Sequence, residues 1–341
     1  MKVLFIGPKL GNSYLQYLTL KKIYKKVDLI DVDKILLFPW INNKIFFHIS
    51  PLIFESQINN KICSKVKKNY DLIYVKGGEF IGKHLILELK KKTKKIVFFC
   101  NDNPYVSRDK KKWNLFLPAA KYYDLIAYQD KSRIRLAKKH GLKNSLLVLP
   151  PYDKRIHKRQ KLSKSEKKNY KCDVIFVGTW FPDRGIFFKK LIELGLNIKI
   201  YGVRWYKDPN YESLKSNIKL GNVFNPNYAK LIQNAKIAIC LFSKKNLDTI
   251  TARSIEIPAI GTLLCSFRTK TMKETFIENK EAVFFNNSIE CFKKCKYYLN
   301  NPKIMEKIAK NGNIKITKIL KPNNDLLIKK IINTVFNNKS Y

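Results

Sequence analysis

Short apolar runs, each followed by a stretch with helical spacing, recur along the whole chain, and that alternation predicts parallel sheets flanked by helices. In the first half the runs are Lys2–Ile6, Val27–Asp31, Leu72–Val75, Ile96–Cys100, Leu125–Tyr128 and Leu146–Leu149. Between them, Ser13–Lys26 repeats Tyr14, Tyr17, Leu18 and Ile23 at helical spacing, and His84–Lys92 and Ser132–Lys139 behave alike. Pro150-Pro151 stops the pattern, because paired prolines exclude helix. From Lys154 to Lys171 nine basic residues face a single acid, a run too charged for a core. The alternation then restarts with strands at Asp173–Val177, Ile198–Tyr201, Ile237–Leu241, Thr262–Cys265 and Ala282–Phe285. Helices are expected at Ile186–Leu194, Tyr228–Gln233, Ala252–Ile257, Ile289–Leu299 and Pro302–Asn311.

The 341 residues therefore read as an α/β chain of two Rossmann-like domains. The first spans residues 1–150, a basic linker 151–171, and the second 172–320. In the remaining 321–341, a helix at Asp325–Phe336 is free to pack back on the first domain. Lys and Arg number 68 against 26 acids, a net charge of +42 that calls for an anionic partner or surface. Residues 1–171 carry about +26 of it and residues 172–341 about +16.

Seven cysteines (Cys63, Cys100, Cys172, Cys240, Cys265, Cys291, Cys295) contain no CxxC, and several lie in apolar runs where a reduced thiol packs as a small hydrophobe. Cys291 and Cys295 stand one helical turn apart, with no His or third Cys nearby in sequence, so no metal site is expected. Asp31-Val-Asp33 has the form of a metal-binding DxD, but no third ligand accompanies it. The start is too short in apolar residues for a signal peptide, and nothing approaches the roughly 18-residue apolar run of a membrane helix. A reducing, cytoplasmic setting is expected. One stretch, Ile35–Phe54, gathers Phe38, Trp40, Phe46, Phe47 and Phe54 among few charges. It can line a pocket, sit buried inside a large loop or dip into a membrane interface.

Parallel sheets bind ligands beyond the carboxyl ends of their strands, so the turns there carry the chemistry. Gly178-Thr-Trp-Phe-Pro-Asp-Arg184 offers close backbone approach at Gly178, a hydroxyl at Thr179 and a guanidinium at Arg184. Gly202-Val-Arg-Trp205 adds a second glycine, Arg204 and an aromatic able to flank a base. In Asp248-Thr-Ile-Thr-Ala-Arg-Ser-Ile-Glu-Ile-Pro-Ala-Ile-Gly261, a helix puts Arg253 and Glu256 on one face, suited to a diphosphate and a ribose diol. Each segment also has an ordinary reading, as turn chemistry or a surface ion pair. In the first half, Gly7 and Gly11 follow the first strand and can approach a donor sugar. Asp102 follows the fourth strand and is a candidate base for an acceptor hydroxyl, or a turn and cap residue. His48, His84, His140 and His157 have no partner legible in sequence.

The segment Thr251-Ala-Arg-Ser-Ile-Glu-Ile-Pro-Ala-Ile-Gly261, then Asn279-Lys-Glu-Ala-Val-Phe-Phe285, Tyr297-Tyr-Leu299 and Asn301-Pro302, resembles the CgeB-type (spore-maturation-protein-like) group 1 glycosyltransferases. Asp173-Val-Ile-Phe-Val-Gly-Thr179 with Pro182-Asp-Arg184 matches the same family. The first half is similar only through Lys76-Gly77 and Asn101-Asp-Asn-Pro104. The resemblance implies a GT-B fold, two Rossmann-like domains facing each other across a cleft, with a nucleotide-sugar donor on the second and an acceptor on the first. It implies that Glu256 binds ribose and that Asp248 stands where relatives carry a donor-contacting glutamate. Arg268-Thr269 replaces the usual Gly-Gly, leaving the diphosphate to Arg253, Arg184, Arg268 and helix amides.

The expected activity is transfer of a sugar from a nucleotide-sugar to a glycan, lipid-linked or protein acceptor, without metal or cofactor and with retention. Positive groups take the place of a cation at the departing diphosphate. Lys21, Lys22, Lys25, Lys26, Lys67, Lys68, Lys110, Lys111 and Lys112 are expected to draw the protein to anionic lipid on the inner membrane face. Two other readings compete: a basic nucleic-acid-binding protein, though no zinc-finger or RNP-type motif is present, and a GT-B scaffold that binds glycan without turnover.

Overall fold

The computed structural model describes residues 1–223 and 226–337, with the side chains of Pro39 and Trp40 outside the description. Two compact units emerge. The first comprises Met1–Leu149, Lys244–Asp248 and the end of the chain from Asn324; the second comprises Pro150–Ser243 and Thr249–Asn323.

In the first unit six parallel strands run β1 (Lys2–Gly7), β2 (Lys26–Asp31), β3 (Tyr70–Val75), β4 (Thr93–Cys100), β5 (Leu125–Tyr128) and β6 (Ser145–Leu147). Their order is β2-β1-β3-β4-β5-β6, so the winding direction reverses between β1 and β3. Alternation along each strand sends Ile73 and Val75 to one core, with Ile96, Phe98 and Phe116, and Leu72 and Tyr74 to the other. The second core is closed by helix Asn324–Phe336, whose Leu327, Ile328, Ile331 and Val335 pack against Val3, Phe5 and Val97. The chain's last helix therefore belongs to the first unit; residues 338–341 of the expected 321–341 segment lie outside the described residues.

The second unit has β7 (Cys172–Val177), β8 (Ile198–Gly202), β9 (Ile218–Leu220), β10 (Ala235–Cys240), β11 (Leu263–Phe267) and β12 (Val283–Phe285). They are ordered β12-β11-β10-β7-β8-β9, again parallel, with the reversal between β7 and β10. Such reversal points leave a crevice at the carboxyl edge where neighbouring loops part.

The basic stretch 151–171 is no free linker. Asp153 and His157 are buried, and Gln160 exchanges hydrogen bonds with Gln233. Ser163 and Glu166 form a capping box at the start of helix Lys164–Tyr170, and Glu166 also takes Lys230 at 2.5 Å. The lysines are exposed, while Asp153, His157 and Gln160 anchor the segment in the second unit. Two helices and a 3-10 turn between Pro39 and Cys63, absent from the expected pattern, fill the crossover from β2 to β3.

Candidate functional site

At the β7–β10 reversal the loops are built by close backbone packing. A side chain on Gly202, whose φ is +156°, would overlap the carbonyl oxygen of Gly178, so the turns after β7 and β8 touch only because residue 202 is glycine. Trp205, expected to flank a base, is instead fully buried and donates its indole N–H to the Gly178 carbonyl at 3.0 Å. Asp208, which sequence reasoning missed, accepts Trp180 Nε1 at 2.6 Å and Asn210 N at 2.8 Å, and fits only because Gly185 has no side chain.

Arg184 lies beneath this loop and is largely buried. It donates to the Thr179 carbonyl at 2.5 Å and the Leu241 carbonyl at 3.4 Å, linking the ends of β7 and β10 across the reversal. The expected phosphate ligand is thus first a clasp between the ends of two strands. The Thr179 side chain is half-buried beside it.

Helix Ala252–Ile260 follows the loop after β10, held by a Thr251–Ser254 capping box and ended by Gly261 at φ +91°. Its first turn contains no acid and one arginine. A cation there opposes the helix dipole, so it needs compensation. Glu256 supplies it: its carboxylate accepts from Arg253 Nη1 and has no exposed surface. His157 Nε2 lies 3.5 Å from the other oxygen of Glu256, and the His157 ring meets buried Tyr228 edge-on. Arg253 stacks on Tyr228, 3.7 Å from ring centre to guanidinium, and keeps 36% of its side chain exposed. Glu256, expected to face a ribose, is therefore covered by Arg253 and holds that arginine in place. His157, which has no partner legible in sequence, and Tyr228 complete a buried stack that only the fold brings together.

Two other expected residues are committed elsewhere. Arg268 pairs with Glu278 and, at 3.0 Å, with Glu290, joining the loops after β11 and β12 rather than awaiting a diphosphate. Asp248 lies in the segment that the first unit claims: Arg133 reaches it at 2.6 Å and Asn246 at 2.6 Å. Burial still pushes its pKa above the ordinary value.

On the first unit, the β1–β3 reversal places Gly7 against Lys76, where a Cβ on the glycine would sit 2.7 Å from that of the lysine. Gly11 opens helix Gly11–Ile23 at φ +53°. Lys76 Nζ lies 2.9 Å from Asn101 Oδ1 and 3.9 Å above the Phe99 ring; burial lowers its pKa to about 7, against opposing pulls from Cys100, Asp102 and Glu79. Asp102 pairs with Arg108 at 2.7 Å. Burial raises its pKa, but Arg108, Lys112 and Arg133 outweigh this and hold it below the ordinary value, a weak proton acceptor. Asp31 receives Lys9 N and Asp33 N in a turn, so the DxD serves local structure.

Cys265 of β11 meets Cys291 and Cys295, correcting the expectation that no third thiol joins them; all three sulfurs lie within 4.8 Å of one another. Among the described residues no fourth His, Cys, Asp or Glu joins the group, which sits in the apolar core beside Leu263 and Phe285. Burial lifts the Cys291 thiol well above its ordinary range, so it stays protonated and packs.

With this geometry in view, residues 184–322 match the family described as Glycosyl transferase-like. Apart from Lys244–Asp248, the match lies within the second unit, and it covers less than half of the chain. The matched stretch runs from Arg184 through the Arg253–Glu256 helix to Pro322. No curated protein matches the sequence. The whole chain is similar to sucrose-phosphate synthase from Thermosynechococcus elongatus at 11% identity and a TM-score of 0.70, covering 99% of this chain and 100% of that one. HepE of Anabaena in complex with UDP-glucose is 12% identical with a TM-score of 0.68, over 98% and 100%. A trehalose-phosphate synthase from Burkholderia xenovorans in complex with glucose-6-phosphate is 10% identical at 0.64, over 98% and 100%. These likenesses give the fold as GT-B, two Rossmann-like domains in one chain.

Proposed function

We propose that the chain is a metal-independent glycosyltransferase of the CgeB-type group that takes a UDP-sugar donor on its second unit. The observation that carries this is the arginine in the first turn of helix Ala252–Ile260: it opposes the helix dipole, is held from below by a buried carboxylate, and stays part exposed. Such a cation fits a ligand with more negative charge than Glu256 alone supplies. The uridine donor is favoured because HepE, similar in fold, binds UDP-glucose.

In this reading Arg253 turns its remaining N–H donors to the diphosphate, and its departure from Glu256 opens that carboxylate to the ribose hydroxyls. The bond from the sugar C1 to the β-phosphate oxygen breaks and a bond from C1 to the acceptor oxygen forms. The leaving UDP takes the electron pair, and Arg253 with the helix amides carries its charge. The acceptor's proton passes to the departing phosphate oxygen, which suits a retaining reaction and leaves Asp102 with no proton to accept. The acceptor, a glycan or a lipid-linked or protein-linked chain, is assigned to the first unit.

Release of UDP from UDP-sugars, with and without added acceptor sugars, tests the proposal. The wild type is expected to turn over, and Arg253→Lys to lose at least about 100-fold, since an ammonium cannot bind two phosphate oxygens in a fixed fork. Equal rates in both proteins reject it.

A further inference from the structure

The segment 34–54 remains unexplained by the donor site. It contains no Asp or Glu, and it leaves large apolar side chains in solvent: Leu37 is 72% and Phe38 63% exposed, with Ile49, Leu52 and Ile53 each about half exposed. Part of the stretch is ordinary core, since Ile35 and Phe46 are buried, so the exposed side chains sit on a segment anchored from within. Phe38 also has φ +54°, a left-handed conformation that a bulky residue adopts only under constraint. An exposed phenylalanine in that conformation contributes little to folding, so its place calls for another reason.

The exposed charges within the segment, and those at 110 and 111 in the neighbouring loop, are lysines. Lys34 and Lys44 are exposed within the segment, and the 107–114 loop adds exposed Lys110 and Lys111. That loop is tied to the segment: Asn114 donates to Ser50 Oγ at 3.2 Å, and Lys110 Nζ lies 5.0 Å from the Phe47 ring centre. Lys112, grouped with these lysines in sequence, is instead paired with Glu79 at 3.0 Å, and Lys22 and Lys68 also have acid partners. The nearest acids in sequence, Asp33 and Glu55, flank the segment, and Glu55 is directed at Gly82.

We propose that this exposed set is a docking surface for an anionic lipid bilayer, with Leu37, Phe38, Leu52 and Ile53 entering the headgroup boundary and Lys34, Lys44, Lys110 and Lys111 meeting lipid phosphates. Apolar side chains alongside cations are what an anionic interface takes up. A second copy of the same face fits poorly, because its lysines would meet lysines. The proposal does not rest on the donor reading: the residues are different, and UDP binding reports separately.

The test is co-sedimentation of the full chain with phosphatidylcholine vesicles, with and without phosphatidylglycerol. Wild type is expected on the mixed vesicles, less so at high salt, and barely on phosphatidylcholine alone. Phe38→Asn and Ile53→Ser are each expected to lower partitioning by about ten-fold, the loss of part of one apolar side chain's transfer. Asparagine tolerates the left-handed conformation, so Phe38→Asn should melt no lower than wild type, and a folding defect is thereby separated from lost binding. Absence of wild-type binding, or binding that neither variant weakens, overturns the proposal. So does a wild-type dimer in sedimentation that either variant dissociates, which would make the face an interface between copies.

Discussion

Replacing Arg253 by alanine strands the carboxylate of Glu256, which has no exposed surface, without the guanidinium that donates to it and balances its charge. Removing one partner of a fully buried pair costs about 3–5 kcal/mol. Arg253 is itself 36% exposed and water already screens part of the pair, so about 2–3 kcal/mol is expected here. For a domain of this size that is a fall of about 5–10 °C in Tm. The decisive form is a double-mutant cycle by urea unfolding. Glu256→Gln added to Arg253→Ala removes the stranded charge, and the double variant should recover about 1 kcal/mol or more relative to the sum of the single changes. Strict additivity of the two substitutions would refute the reasoning, because it would mean that neither side chain feels the other.

Three further outcomes are expected. Lys76, with its pKa lowered to about 7 in the fold and near 10.4 when unfolded, binds fewer protons in the native state between those values. Stability should therefore rise with pH from about 7 towards 10, and Lys76→Met should flatten that rise in denaturant titrations. Gly202→Ala should destabilise the second unit by about 3 kcal/mol or more, read by thermal unfolding, since the added carbon overlaps the Gly178 carbonyl. Arg133→Ala should cost about 3 kcal/mol by leaving Asp248 nearly buried without its cation, and Asp248→Asn in the same chain should return part of the loss.

The strands were legible because parallel sheets demand unbroken apolar runs, and those runs stand out between charged helices. β9 was not, since only Ile218 of its three residues is buried and the other two face solvent. Residues 151–171 were misread because their lysines hide two buried anchors, Asp153 and His157; Ser163 and Glu166, three apart, were the signal that a helix starts there. Arg253 and Glu256 could be found together because helical spacing joins them locally. Tyr228 and His157 could not, being 25 and 96 positions from Arg253 in the chain. The same distance problem explains Arg268, whose partners Glu278 and Glu290 arrive from other loops, and Cys265, which only sheet and helix packing bring to Cys291 and Cys295.

A crystal structure with UDP bound tests the central claim most directly. The account predicts the diphosphate at the carboxyl edge of β7 and β10, with Arg253 turned from Glu256 onto it. UDP seated elsewhere, or seated there with Arg253 still on Glu256 and no contact to the phosphates, would contradict it.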